Sequence, residues 1–122
     1  MIVNPEELPE PVGYAHAVVA GGAVYLGGQI GDGETLVEQF DSAAVRVLTA
    51  LRAAGGEPEH LVSLVVYTTE IDEYRRSLAE LGQVWRRYFG RRYPAMALVG
   101  VSALLEPAAK VELMGIAVLP DG

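Results

Sequence analysis

Apolar residues recur at two different spacings along this chain, and the spacings divide it into helices and strands. From about Glu38 to Ala54 they fall at Phe40, Ala44, Val47, Leu48 and Leu51, the three-and-four rhythm of a helix with one buried stripe. Glu38 and Asp41 near its start and Arg52 near its end suit the helix dipole, and Gly55-Gly56 stops it. A second helix is predicted from an N-cap at Asp72 to about Phe89, with Tyr74, Leu78, Leu81, Trp85, Tyr88 and Phe89 on one stripe and Gly90 at its end. Between the two, LVSLVVYTT (61–69) is rich in β-branched residues and almost continuously apolar, which predicts a central strand. AVVAGGAVYLGG (17–28) reads as a hairpin turning at Ala20-Gly21-Gly22, and GDGET (31–35) as a loop. YPAMALVGVSAL (93–104) has no charged residue and reads as a buried strand behind a proline. After a Glu106-Pro107 turn, AKVELMGIAVL (109–119) reads as the last strand.

The predicted order is β-β-α-β-α-β-β, an α+β domain with a mixed sheet and two helices on one face. Pro5, Pro9 and Pro11 predict an irregular segment over residues 1–13, and residues 1–122 read as a single domain. Parity along the last strand says what the other sheet face carries. Val111, Leu113, Gly115, Ala117 and Leu119 form a wholly apolar side suited to the helices. Lys110, Glu112, Met114, Ile116 and Val118 form a mixed side, too apolar for plain solvent and yet holding an acid. Covering that side by self-association fits both facts.

Composition narrows the function classes. Hydrophobic residues make up 51% of the 122 positions, enough for a core. A net charge of −7 disfavours nucleic-acid binding, which needs a basic field. Six of the nine cations fall in three arginine pairs, Arg75-Arg76, Arg86-Arg87 and Arg91-Arg92, and this cluster reads as a solvated helix face rather than an anion site. No segment is long and apolar enough to span a bilayer, and the N-terminus lacks a basic region followed by an apolar run, so the expected compartment is the cytoplasm. With no cysteine and two histidines, no disulfide, thiolate chemistry or metal site is expected. GGQIGDG lacks the Lys-Ser/Thr of a phosphate loop and the Rossmann spacing, so it is no nucleotide signal.

Four stretches, GYAHAVVAGGAVYLGGQI, LVSLVVYTTEID, YPAMALVGVSAL and KVELMGIAV, together resemble the Rid family, also known as the YjgF or endoribonuclease L-PSP family. The likeness runs from about Tyr14 to Val118 in the family's order and spacing. It implies a chorismate-mutase-like fold and a homotrimer whose sheets close into a central barrel, with clefts between subunits. Archetypal members hydrolyse reactive 2-imino or enamine acids to 2-keto acids and ammonia, with no metal or cofactor. In their pattern an arginine after Pro-Ala clamps the substrate carboxylate, a job suited to a bidentate guanidinium. Here Met96 follows Pro94-Ala95.

The resemblance places Tyr14 at the family's cleft tyrosine and Glu112 at the acid that positions the attacking water. Gly27 stands where a serine is usual, His16 where a glutamine is usual, and Met114 where the last strand carries a second acid. The candidate catalytic residues are therefore Glu112, Tyr14 and His16, and the candidate cleft wall is Gly27, Met96, Ala97 and Leu98. Glu112 could instead pair with Lys110 or with an arginine of a neighbouring subunit. In a strand His16 would face the same side as Tyr14, where an imidazole could act as a base. Arg91 or Arg92 could replace the missing clamp. The reading that results is a Rid-like hydrolase of an imine, enamine or related small molecule in an inter-subunit cleft, with altered substrate choice. The alternative is a non-catalytic trimer that binds a metabolite or a partner protein in the same cleft. RNA cleavage fits the net charge poorly.

Overall fold

Gly21 and Gly22 reverse the chain first. Their φ angles of +56° and +80° are those of a two-residue turn that matches strand twist, and Ala20 pairs directly with Ala23 across it. The turn joins β2 (Ala17–Ala20) to β3 (Ala23–Leu26) in a computed structural model that describes residues 1–120. The predicted irregular N-terminus is irregular only from Asn4 onward. Ile2–Val3 form a short strand, β1, paired antiparallel to β2, and the Met1 ammonium donates to the Val19 carbonyl.

Helix α1 (Leu36–Ala53) begins earlier than apolar spacing alone indicates. Thr35 is its N-cap. The Thr35 hydroxyl accepts from the Glu38 N–H and the Glu38 carboxylate accepts from the Thr35 N–H, a reciprocal capping box. That second bond, with lesser help from the Thr35 hydroxyl and the Glu34 N–H, holds the Glu38 carboxyl below its ordinary pKa. Phe40, Ala44, Val47, Leu48 and Leu51 are all buried, as their spacing requires.

The second predicted helix is two helices, α2 (Ile71–Arg76) and α3 (Leu78–Phe89), broken at Ser77. Glu70, not Asp72, stands at the N-cap, and Asp72 lies in the first turn paired with Arg75. The break shifts the phase of the stripe. Leu78 is therefore exposed, whereas Leu81, Val84, Trp85 and Phe89 pack inward. Tyr74 also packs inward, and burial pushes its phenol up to a pKa of about 12.

The sheet runs β1-β2-β3-β6-β4-β5, with β4 (Leu61–Thr68), β5 (Ala95–Gly100) and β6 (Val111–Val118). Only β4 and β5 are parallel. Strand β6 lies between β3 and β4, and the helices cover one face. Val111, Leu113 and Ala117 point into that covered face beside Leu64 and Val66 and are completely buried. Each buried Val or Leu side chain here contributes about 1.5–3 kcal/mol by leaving water.

Two departures matter for function. Strand β5 is not buried. It is the edge of the sheet, and every side chain from Ala95 to Gly100 is exposed. An uncharged apolar run signals burial, but the material that buries it need not belong to the same chain. The second departure is Gln39, a buried amide on α1. It donates to the Gly33 and Ala108 carbonyls and accepts from the Lys110 N–H, so it stitches the loop before α1 to the entry of β6. No helix among the described residues is long and apolar enough to cross a membrane.

Candidate active site

Strand pairing fixes which side chains share the uncovered face. Cα register places Glu112 opposite Tyr67, and Tyr67 opposite Val99. The next row is Met114, Val65 and Ala97, and the next Ile116, Ser63 and Ala95. Tyr25 joins the third row from β3. Tyr25, Met114, Ile116 and Val118 are all well exposed, an apolar band with one acid at its end. A recess of about 220 Å³ lies in this band, lined by Tyr25, Ser63, Val65, Met114 and Ile116. The Gly115 backbone also lines it.

Glu112 is half-buried at the end of this band. Its carboxyl is packed against Gly28, where any Cβ would stand 2.8 Å from the Glu112 Cδ. Burial raises its pKa above the ordinary carboxyl value. Among the described residues it makes no ion pair and no side-chain hydrogen bond. Lys110, the partner that proximity in sequence indicated, reaches Glu73 instead, at 3.8 Å. Arg92 lies on the other side of the sheet, lining an aromatic recess with Trp85, Phe89 and Tyr93, and so does not reach Glu112 from its own chain. A partly dehydrated carboxyl without a cation holds its proton more tightly than a free one and can polarise a water.

His16 is placed differently from expectation. Residues 14–16 are not a strand, and His16 turns inward while Tyr14 stays 52% exposed. Both imidazole nitrogens are engaged, Nε2 with the Pro9 carbonyl at 2.7 Å and Nδ1 with the Gln29 amide at 2.9 Å. His16 is thus tied into the fold on both sides rather than offered to a ligand as a base. The Tyr14 ring meets its ring edge-on at 5.3 Å.

Of the four wall residues, only Ala97 lies on the Glu112 face. Met96 and Leu98 are in register with Leu64 and Val66 and point to the helix side. Met96 there borders a hollow with Phe40, Tyr74, Leu81 and Trp85. Gly27 packs against the adjacent chain segment, where a Cβ would stand 2.4 Å from the Ala15 carbonyl oxygen. A serine at this position would require the backbone to move. Tyr67, Val99, Gly28 and Gln29 are site neighbours that the sequence reading missed. The parity argument used for the last strand, applied to 61–69, would have found Tyr67. Among the described residues no cluster of three His, Cys, Asp or Glu gathers to hold a metal.

Comparison with known proteins fits this architecture. The family model for endoribonuclease L-PSP matches residues 6–119. The chain belongs to the endoribonuclease L-PSP family. It is 30% identical over 125 residues to a RutC family protein of Aquifex aeolicus, covering 93% of this chain and 97% of that protein. It is 28% identical over 126 residues to a 2-iminobutanoate/2-iminopropanoate deaminase of Capra hircus, covering 96% and 88% of the two. Among solved structures, RidA from an Antarctic Psychrobacter superposes with a TM-score of 0.86 at 28% identity, over 98% of this chain and 99% of that one. The mixed sheet backed by helices is therefore a fold that this chain shares with its relatives.

Proposed function

We propose that this L-PSP family member works in the cytoplasm as a homotrimer that hydrolyses a small imine or enamine in clefts between its subunits. Water adds to the imine carbon, the resulting carbinolamine loses ammonia, and a carbonyl product remains. Glu112 takes the proton from the attacking water and returns it to the departing nitrogen. One observation carries the reading. The half-buried carboxyl with a raised pKa stands, without an ion-pair partner, on the sheet face that no element among the described residues covers. A carboxyl whose burial favours the protonated form can both take up a proton and give it back. The relatives named as imine deaminases support the reaction class.

The substrate is assigned as a species without an essential carboxylate. Met96 stands where the family pattern has its arginine, and among the described residues Glu112 makes no ion pair, Lys110 reaching Glu73 instead. A buried carboxylate left without a partner costs several kcal/mol, so a 2-imino acid would bind poorly. The same absence favours a second reading, a cleft that binds a metabolite or protein without turning it over. Ammonia release from a panel of charged and uncharged imines, generated in situ, separates the two. The first reading predicts release above the buffer rate and a loss of about 10²–10⁴-fold in Glu112→Gln. Equal turnover by that variant would refute the role of Glu112. Ligand-induced thermal stabilisation with no turnover on any substrate would establish the second reading.

A further inference from the structure

We infer that His16 is a positioning residue for Glu112, acting through Gln29. His16 is 2% exposed, and all four of its polar groups are used. Its N–H donates to Asn4 Oδ1 at 2.9 Å, and its carbonyl accepts from the Gly27 N–H at 2.8 Å. A carbonyl can only accept, so the bond to Pro9 places the ring proton on Nε2. The other nitrogen, Nδ1, then accepts from the Gln29 amide. One side chain thereby joins the N-terminal segment to residues 27–29.

Gly28, the middle residue of that run, is the one against which the Glu112 carboxyl rests. Gln29 exchanges both main-chain hydrogen bonds with Leu113, at 2.8 and 2.9 Å, immediately beside Glu112 on β6. Gly28, one residue before, supplies the bare Cα on which the carboxyl packs. Gly27, one residue earlier still, is held by the His16 carbonyl. The strut therefore fixes the wall at both ends, through the His16 carbonyl at Gly27 and the His16 ring at Gln29. How closely the wall lies on β6 decides how far the Glu112 carboxyl is withdrawn from water. The other groups facing that carboxyl are Tyr67 across on β4 and Lys110 two residues back, which is occupied by Glu73. The edge-on contact makes the same ring a support for Tyr14.

The functional weight of the strut rests on the hydrolytic reading, but its existence does not. ¹⁵N NMR of the intact protein is the first test and needs no variant. The strut requires a pyrrole-type signal for His16 Nε2 and a pyridine-type signal for Nδ1, and the reverse pattern would overturn it. The second test follows the Glu112 carboxyl by ¹³C NMR titration in wild type, His16→Leu and His16→Gln. In His16→Leu the Glu112 midpoint should fall toward the ordinary carboxyl range, with loss of hydrogen-exchange protection at Gln29 and Leu113. Glutamine can donate to Pro9 and accept from Gln29, so His16→Gln should restore both. An unchanged Glu112 midpoint in folded His16→Leu would overturn the inference, as would failure of His16→Gln to restore it. If the midpoint moves as stated while no variant releases ammonia from any imine, the strut stands and the enzymatic reading falls.

Discussion

Replacing Gly28 by alanine places a methyl group on the wall that shelters Glu112. The added Cβ would stand 2.8 Å from both Cδ and Oε2 of that side chain and 3.1 Å from its Cγ. These atoms end a flexible side chain, so Glu112 can swing aside at an off-rotamer cost of about 0.5–1.5 kcal/mol. Gly28 has no positive φ, and alanine there restricts the unfolded chain, a gain of about 0.4–1 kcal/mol. The two nearly cancel, so Gly28→Ala should change stability by no more than about 1 kcal/mol. Gly27→Ala should behave in the opposite way. Its Cβ would stand 2.4 Å from the Ala15 carbonyl oxygen, which is backbone, and the Gly27 N–H is bonded to His16. Overpacking of that kind costs about 1–3 kcal/mol. Urea denaturation at one fixed protein concentration measures both, since assembly makes stability depend on concentration. The Gly28 variant should then keep its fold while its Glu112 carboxyl titrates nearer the ordinary range. A loss of more than about 2 kcal/mol in Gly28→Ala, or a tolerant Gly27→Ala, would refute the geometry on which the site is built.

Glu112→Gln should also change the pH dependence of stability. Burial raises the folded-state pKa above the ordinary 4.5, so the folded protein binds this proton more tightly than the unfolded chain does. The stability that Glu112 contributes is present below that ordinary value and lost as pH rises through the folded-state pKa. The variant should therefore gain on wild type as pH rises from about 4.5 and keep a constant lead above the folded-state value, which denaturation at several pH values would show. Tyr88→Phe tests the tie between α1 and α3, where the Tyr88 hydroxyl donates to Asp41 at 2.5 Å and Arg87 reaches the same carboxylate at 2.7 Å. The pair lies partly in solvent, so a loss of about 1 kcal/mol in urea denaturation is expected, and no loss would show the tie to be idle.

What could be read from the sequence was whatever repeats. The α1 stripe and the two faces of β6 follow from periods of 3.6 and 2, and parity alone put Glu112 on the uncovered side. Ser77 was invisible because Tyr74 and Leu81 keep a plausible helical spacing across it. Strand β1 is two residues long and leaves no period to detect. Met96 and Leu98 were placed in the cleft wall by the family resemblance, which carries no register; pairing with Leu64 and Val66 turns both to the helix side. The inward turn of His16 depends on Pro9 and Gln29, at separations of 7 and 13 residues, and no local pattern records either bond. Asp41 was read as a charge for the dipole of α1, and its second use, as acceptor for Arg87 and Tyr88, required the packing of α3.

The apolar band beside Glu112 and the uncharged edge strand β5 both ask to be covered, and the proposed cleft exists only if copies of the same chain cover them. Sedimentation equilibrium at micromolar concentration tests this directly. The account predicts a species of three times the 13.0 kDa chain, which falls apart when Met114 on the uncovered face is changed to lysine. A stable 13.0 kDa monomer at that concentration would contradict it.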